Sequence, residues 1–212
     1  MRLLNYYDKK ITPEARWLLL QWSQQMGLEK PLTLPLRDLR VCFEVPLLKL
    51  RQALSCLTEQ GMVAAEIYKC GQKKGRPRTH FTCTVNLHHE LAKVRVPDVT
   101  PHQTAIEHLF YSSTAPPMPG HDEHPNLLLG QSRIQHLPVV TRWLLIVLLA
   151  HADQTGSIRH LSYVDLQDLT GMNRVRLRSQ LRKLSDMGVL ADFQGVRLGK
   201  ALGIKRTSII VL

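Results

Sequence analysis

Two kinds of side chain in this sequence could do chemistry, and they fall in different places. The first is the cation. Lys73, Lys74, Arg76 and Arg78 crowd into GQKKGRPRTH (71–80), around Gly75-Arg76-Pro77. Farther on, Arg174, Arg176, Arg178, Arg182 and Lys183, led by Asn173 and interleaved with Ser179 and Gln180, alternate with Val175, Leu177, Leu181 and Leu184; on a 3.6-residue period the apolar set is expected to face the core and the polar set outward. A lysine is a flexible point charge, whereas a guanidinium is a planar fork that matches paired acceptors on phosphates and purine edges. Like charges held this close repel one another. Such a run is therefore either a solvated face or a surface meant for a polyanion.

The second kind is the thiol and the imidazole. Cys42, Cys56, Cys70 and Cys83 follow no CxxC spacing. A hairpin folded about Arg76–Pro77 would bring Cys70 near Cys83, with His80 and His88 close by, so a zinc site is conceivable. The missing ligand spacing favours two reduced strand thiols instead, and no metal is expected. Cys42 and Cys56 fall at apolar positions of helical patterns and are expected as small buried hydrophobes. His121-Asp122-Glu123-His124, with His102 and His108, lie in a polar stretch at a spacing that fits no familiar metal site. There is no phosphate-cradling glycine loop, nucleophile elbow or HExxH. The chain is expected to be no enzyme and to need no cofactor.

Cations act only where a frame holds them, and this chain contains its frame twice. Arg16-Trp17-Leu18-Leu19 recurs as Arg142-Trp143-Leu144-Leu145. LPLRDLRVCFEVPLLKLRQALSCLTEQGMV (34–63) aligns without gaps with LSYVDLQDLTGMNRVRLRSQLRKLSDMGVL (161–190). In that register Leu34, Leu39, Leu50, Leu54 and Leu57 match Leu161, Leu166, Leu177, Leu181 and Leu184. Lys49 matches Arg176, Arg51 matches Arg178, and Gly61 matches Gly188.

Each copy reads as three helices and a hairpin. Thr12-Pro13-Glu14 starts a helix that runs toward Gly27. A short helix follows Pro35, a turn falls at Phe43–Val45, and Pro46 opens a third helix with the stripe Leu47, Leu50, Leu54 and Leu57. Gly61 ends it. MVAAEIYKC (62–70) and THFTCTV (79–85) read as strands either side of the basic tip. In the second copy the first helix covers about 138–153. Ser162 caps the next, Gly171-Met172-Asn173 turns, and a third helix spans Arg174 to Met187. Strands VLADF (189–193) and TSIIVL (207–212) flank a loop carrying Arg197, Lys200, Lys205 and Arg206.

This order, with "LT.GM", a basic helix and "L..MGVL", resembles the winged helix-turn-helix superfamily, present twice. The resemblance implies a mainly α fold with small β-hairpins (α+β), in two tandem winged-helix domains. They would occupy 1–95 and 137–212, joined over 96–136 by a Pro-rich linker (TAPPMPGHDEHP, 114–125) with a short amphipathic helix at 101–113. On that helix Ala105, Ile106, Leu109 and Phe110 share a side, to cover a domain face or to make a homodimer contact. The resemblance further implies that the third helix of each copy enters a major groove. Asn173, Arg174, Arg176 and Ser179 would then read bases, with Arg178 and Arg182 on bases or phosphates. In the first copy Lys49, Gln52 and Ser55 point outward with Arg51 flanking, and the hairpin carries the charge. "KKGRPR" also resembles the core of an AT-hook, which implies that Lys73, Lys74, Arg76 and Arg78 contact a narrow minor groove or phosphates.

Charge partitions in step with the repeats. Residues 1–95 hold 16 Lys/Arg against 8 Asp/Glu, residues 96–132 none against 4, and residues 133–212 twelve against 5, for a net of +11. A basic chain of this kind suits nucleic acid. The most apolar run, VVTRWLLIVLLA (139–150), is too short to span a bilayer, and no leader is evident, so a soluble cytoplasmic, nucleoid-associated protein is expected. The leading expectation is a sequence-specific binder of double-stranded DNA, of the kind that regulates transcription. Replication initiators of plasmids and integrative elements are similar in resembling two winged helices in series. Winged helices also serve as protein-interaction subunits, and basic wings also bind A-form RNA.

Overall fold

A computed structural model describes residues 2–6, 8–68, 78–94, 100–110, 137–159, 161–194 and 208–211, the side chains of Tyr68, Arg78, 191–194 and 208–211 excepted. The chain divides into two compact units, one of residues 1–97 with 168–172 and the other of 98–167 with 173–212. It is mainly helical with small antiparallel sheets. A 3₁₀ turn (Arg2–Asn5) precedes α1 (Pro13–Gln25), α2 (Leu36–Phe43), α3 (Leu47–Glu59), β1 (Val63–Tyr68), β2 (Arg78–Cys83) and α4 (Val85–Lys93). There follow α5 (Gln103–Phe110), α6 (Val139–His151), β3 (Ser157–Ile158), α7 (Tyr163–Thr170), α8 (Arg174–Asp186), β4 (Leu190–Gln194) and β5 (Ser208–Val211).

The duplication seen in the sequence is present in the fold. α1 and α6 each have 13 residues, α2 and α7 eight, and α3 and α8 13. The matching residues of the second and third helices lie 127 apart along the chain. Leu39/Leu166, Phe43/Thr170, Val45/Met172, Leu50/Leu177, Leu54/Leu181, Leu57/Leu184 and Val63/Leu190 are all buried. In the first copy α1, α2 and α3 pack on one another, and in the second α6 packs on α8. One frame therefore closes two cores from one pattern of apolar positions.

Local signals account for the helix ends. The Thr12 hydroxyl accepts the Ala15 N–H at 3.3 Å, and Pro13 occupies the first helical position. Ser162 and Asp165 form a reciprocal capping box: the Ser162 Oγ accepts the Asp165 N–H at 3.1 Å, and the Asp165 carboxylate accepts the Ser162 N–H at 2.8 Å. At the far end of the third helix Gly61 (φ 65°) and Gly188 (φ 72°) turn left-handed. The next N–H then reaches back to close the helix, Met62 to the Leu57 carbonyl at 2.9 Å and Val189 to Leu184 at 3.0 Å.

The repeated Arg-Trp pair is structural. Arg16 and Arg142 are buried, and each Nε donates to the carbonyl five residues earlier, Ile11 at 3.4 Å and Leu137 at 3.1 Å. Arg16 also donates to the Tyr6 carbonyl at 2.6 Å and to that of Asp8. Burial lowers its pKa to about 10, with Asp8 and Tyr6 opposing. The Trp17 indole N–H donates to the Phe43 carbonyl at 3.0 Å, tying α1 to the end of α2.

Two elements were not foreseen. Leu32 exchanges both backbone hydrogen bonds with Phe81, at 2.8 and 3.1 Å, and β3 pairs with β5, giving the order β3-β5-β4. In each copy a fully buried residue ahead of the second helix, Leu32 or Ile158, thus adds an edge to the returning strand of the hairpin. α4 is the other. Thr84 ends β2 earlier than the strand expected over 79–85, because its hydroxyl donates to the Gly61 carbonyl at 2.6 Å and accepts the Leu87 N–H at 3.4 Å as a cap.

Several expectations need correcting. β1 pairs Val63 with Cys83 and Tyr68 with Arg78, a register centred three residues before Arg76–Pro77, so Cys83 lies at the base of the hairpin opposite Val63. Cys70 lies outside the described residues. Cys42 is exposed and Cys56 only half-buried, because α2 and α3 turn their leucines and Phe43 to the core at the thiols' expense. Leu34 is exposed where its counterpart Leu161 is buried. The linker helix is described over Gln103–Phe110, where Ile106, Leu109 and Phe110 are buried, α5 packs on α6, and Ala105 is exposed. No helix among the described residues is long and apolar enough to cross a membrane.

Candidate nucleic-acid interface

α8 carries Arg174, Arg176, Arg178, Arg182 and Lys183 against Asp186 alone. Its core stripe is Leu177, Leu181 and Leu184, all fully buried. At 100° per residue Val175, Ser179 and Arg182 lie opposite that stripe, with Arg178 at the flank. All four are exposed, as are Arg174 and Lys183, while Arg176 is half-buried at the edge. Asn173 is exposed as the N-cap, its Oδ1 accepting the Arg176 N–H at 2.9 Å. A two-point pairing with adenine would also use that oxygen, whose second lone pair would have to serve the base while the first holds the cap.

Two residues of this helix differ from expectation. Val175, assigned to the core set, is 80% exposed, because it lies on the far side of α8 from the leucine stripe. Gln180, assigned outward, is half-buried and its side-chain oxygen accepts the Thr141 hydroxyl of α6 at 2.6 Å.

This charge arrangement works against the helix that bears it. Arg174 and Arg176 sit at the positive end of the helix dipole, and Arg174/Arg178 and Arg178/Arg182 are like-charge pairs four apart; each effect costs some tenths of a kcal/mol. Arg182 approaches Asp186 at 4.0 Å with both side chains well exposed, a contact worth little. The field is felt next door. Burial raises the pKa of Tyr163, with Arg178 and Arg174 pulling it down. The Tyr163 hydroxyl donates to the Arg174 carbonyl at 3.0 Å, holding the start of α8 against α7.

α3 presents the same face with less charge. Leu48 stands where Val175 does, Arg51 where Arg178 does, Gln52 for Ser179, Ser55 for Arg182 and Glu59 for Asp186. Leu48, Lys49, Arg51, Gln52 and Ser55 are exposed. Lys49 lies 4.0 Å from the buried Glu14, and the Ser55 hydroxyl donates to Glu59 at 2.9 Å. The exposed aliphatic at the second position of both helices was missed as a feature, although the gapless alignment places Leu48 against Val175.

Lys73, Lys74 and Arg76, and Arg197, Lys200, Lys205 and Arg206 in the second hairpin, lie outside the described residues; of Arg78 only the backbone, at the start of β2, is described. Among the described residues no group of three or more His, Cys, Asp or Glu is placed to hold a metal ion. Comparison with protein-family models, with curated proteins and with solved structures found no match.

Proposed function

We propose that the chain is a sequence-specific double-stranded DNA-binding protein built from two winged helix-turn-helix modules, acting as a transcriptional regulator. The observation that carries this reading is the outer face of α8. Five cations stand on one helix, the exposed ones on the side away from the core contacts of a buried leucine stripe, at a cost of some tenths of a kcal/mol per like-charge pair. An anionic partner would offset it. The surrounding order adds support: a short helix, a tight turn, the basic helix and then a hairpin whose returning strand is the middle of three. In this reading α8 lies in a major groove, with Arg174, Arg178 and Arg182 reaching guanine edges or phosphates and Ser179 a base edge. α3 plays the same part with Arg51 and Gln52, and the two basic hairpin loops lie on phosphates or minor groove.

A binding selection on a random duplex library at physiological salt tests this. Enrichment of a defined motif is the expected result. A bound pool without enrichment would replace base reading by shape or backbone binding. No retained DNA would leave a protein partner as the use of these faces.

A further inference from the structure

We infer that Leu48 and Val175 are specificity residues, each reading the 5-methyl group of a thymine. The inference rests on the reading above, that α3 and α8 lie in the major groove.

The two residues occupy the same place in the two copies, the second position of a 13-residue helix, and are 66% and 80% exposed. Neither serves its core, which is closed from the opposite side by Leu50, Leu54 and Leu57 and by Leu177, Leu181 and Leu184. Valine is a poorer helix former than alanine, so helix propensity does not call for it at 175. Each aliphatic also sits on an otherwise polar face, with Arg51 and Gln52 around Leu48 and Arg178, Ser179 and Arg182 around Val175. An apolar protein surface docked on Val175 would have to strip water from those guanidiniums, which is costly without paired acceptors. Duplex DNA meets both demands at once. Phosphates and guanine edges take the arginines, and the apolar group on offer in the major groove is the thymine methyl. Residues near the N-terminus of a reading helix are the ones that approach base edges most closely.

The test uses the duplex enriched by the selection. Each thymine is replaced in turn by deoxyuridine, which keeps the base pair and removes only the methyl group. The wild-type chain is expected to lose about fourfold in affinity at one thymine facing each helix, the effect of one buried methyl. Val175→Ala, which withdraws both γ-methyls, should be less sensitive to deoxyuridine at one of those positions and Leu48→Ala at the other, while Val175→Thr, which keeps one γ-methyl, should retain more of the sensitivity. Circular-dichroism melting checks that the variants fold, and the deoxyuridine series on the wild-type chain reads the interaction without any substitution. Tight binding indifferent to every deoxyuridine overturns the methyl reading and leaves DNA binding intact. Losses of the same size in the alanine variants also overturn it. If no duplex is bound at all, both readings fall together.

Discussion

Arg178 and Arg51 hold one position in two helices, yet their neighbours differ, and so should their effects. Arg178 stands among further cations, so Arg178→Ala is expected to cost about 1–3 kcal/mol of affinity and to relax preference at one base pair, read by titration against the enriched duplex and single-base variants. An unchanged motif would remove Arg178 from base reading. The thiols give a second residue-scale check. Burial pushes Cys83 up to about 12, while Cys42 is exposed. A disulfide thiol reagent at neutral pH should modify the exposed Cys42 quickly and the half-buried Cys83, with its raised pKa, more slowly. The same burial makes stability depend on pH. Unfolded, the Cys83 thiol ionises near 9; folded, it keeps its proton to about 12. Unfolding in that interval releases a proton, so stability is full below pH 9 and falls as pH rises. Tyr6, raised to about 12 by burial, adds to the loss above its ordinary value of 10, whereas Arg16, lowered to about 10, opposes it there. Among the described residues with a resolved shift, Cys83 is therefore the one that leads the decline between about pH 8 and about pH 10, and urea midpoints of Cys83→Ala should show less of it than the wild type.

At the scale of elements, the two copies solve the same turn with different residues. Between α2 and α3 the left-handed position is Glu44, at φ 53°; between α7 and α8 it is Gly171, at φ 69°. A side chain in that conformation costs about 1–2 kcal/mol, partly returned because glycine is more flexible when unfolded. Glu44→Gly is expected to raise stability by about 0.5–1 kcal/mol, measured by urea denaturation, and a decrease instead would mean that the Glu44 side chain contributes more than the strain costs. The helices themselves were legible because caps, prolines and leucine spacing agree with one another. β3 and the Leu32 bridge were not, since one or two paired residues are too few to show alternation. α4 was hidden for another reason: Thr84 reads equally well as a strand residue or a cap, and only its bond to Gly61 decides. The outward aliphatics escaped because an apolar residue on a helix is assigned to the core by default, while the 100° step puts Val175 on the far side from Leu177 and Leu181.

For the molecule as a whole, binding should fall steeply with salt. Replacing Arg76 and Arg78 together by alanine is expected to flatten the slope of log affinity against log salt by about 0.9 for each phosphate left un-neutralised, while leaving the selected motif's core unchanged. A slope identical to the wild type would take that hairpin out of the interface. The repeat of helix lengths and buried leucines was readable because matching leucines, turn positions and closing glycines recur in one frame, a coincidence that amphipathicity alone does not produce. That frame has a practical corollary. With the three helix lengths equal and the buried leucines of the third helices matched, Val175, Arg178, Ser179 and Arg182 have ready addresses at 48, 51, 52 and 55. The outward residues of one helix can be written onto the other without touching a packed leucine, so, on the proposed function, each helix would be a socket whose reading residues could be exchanged, duplicated or blanked independently.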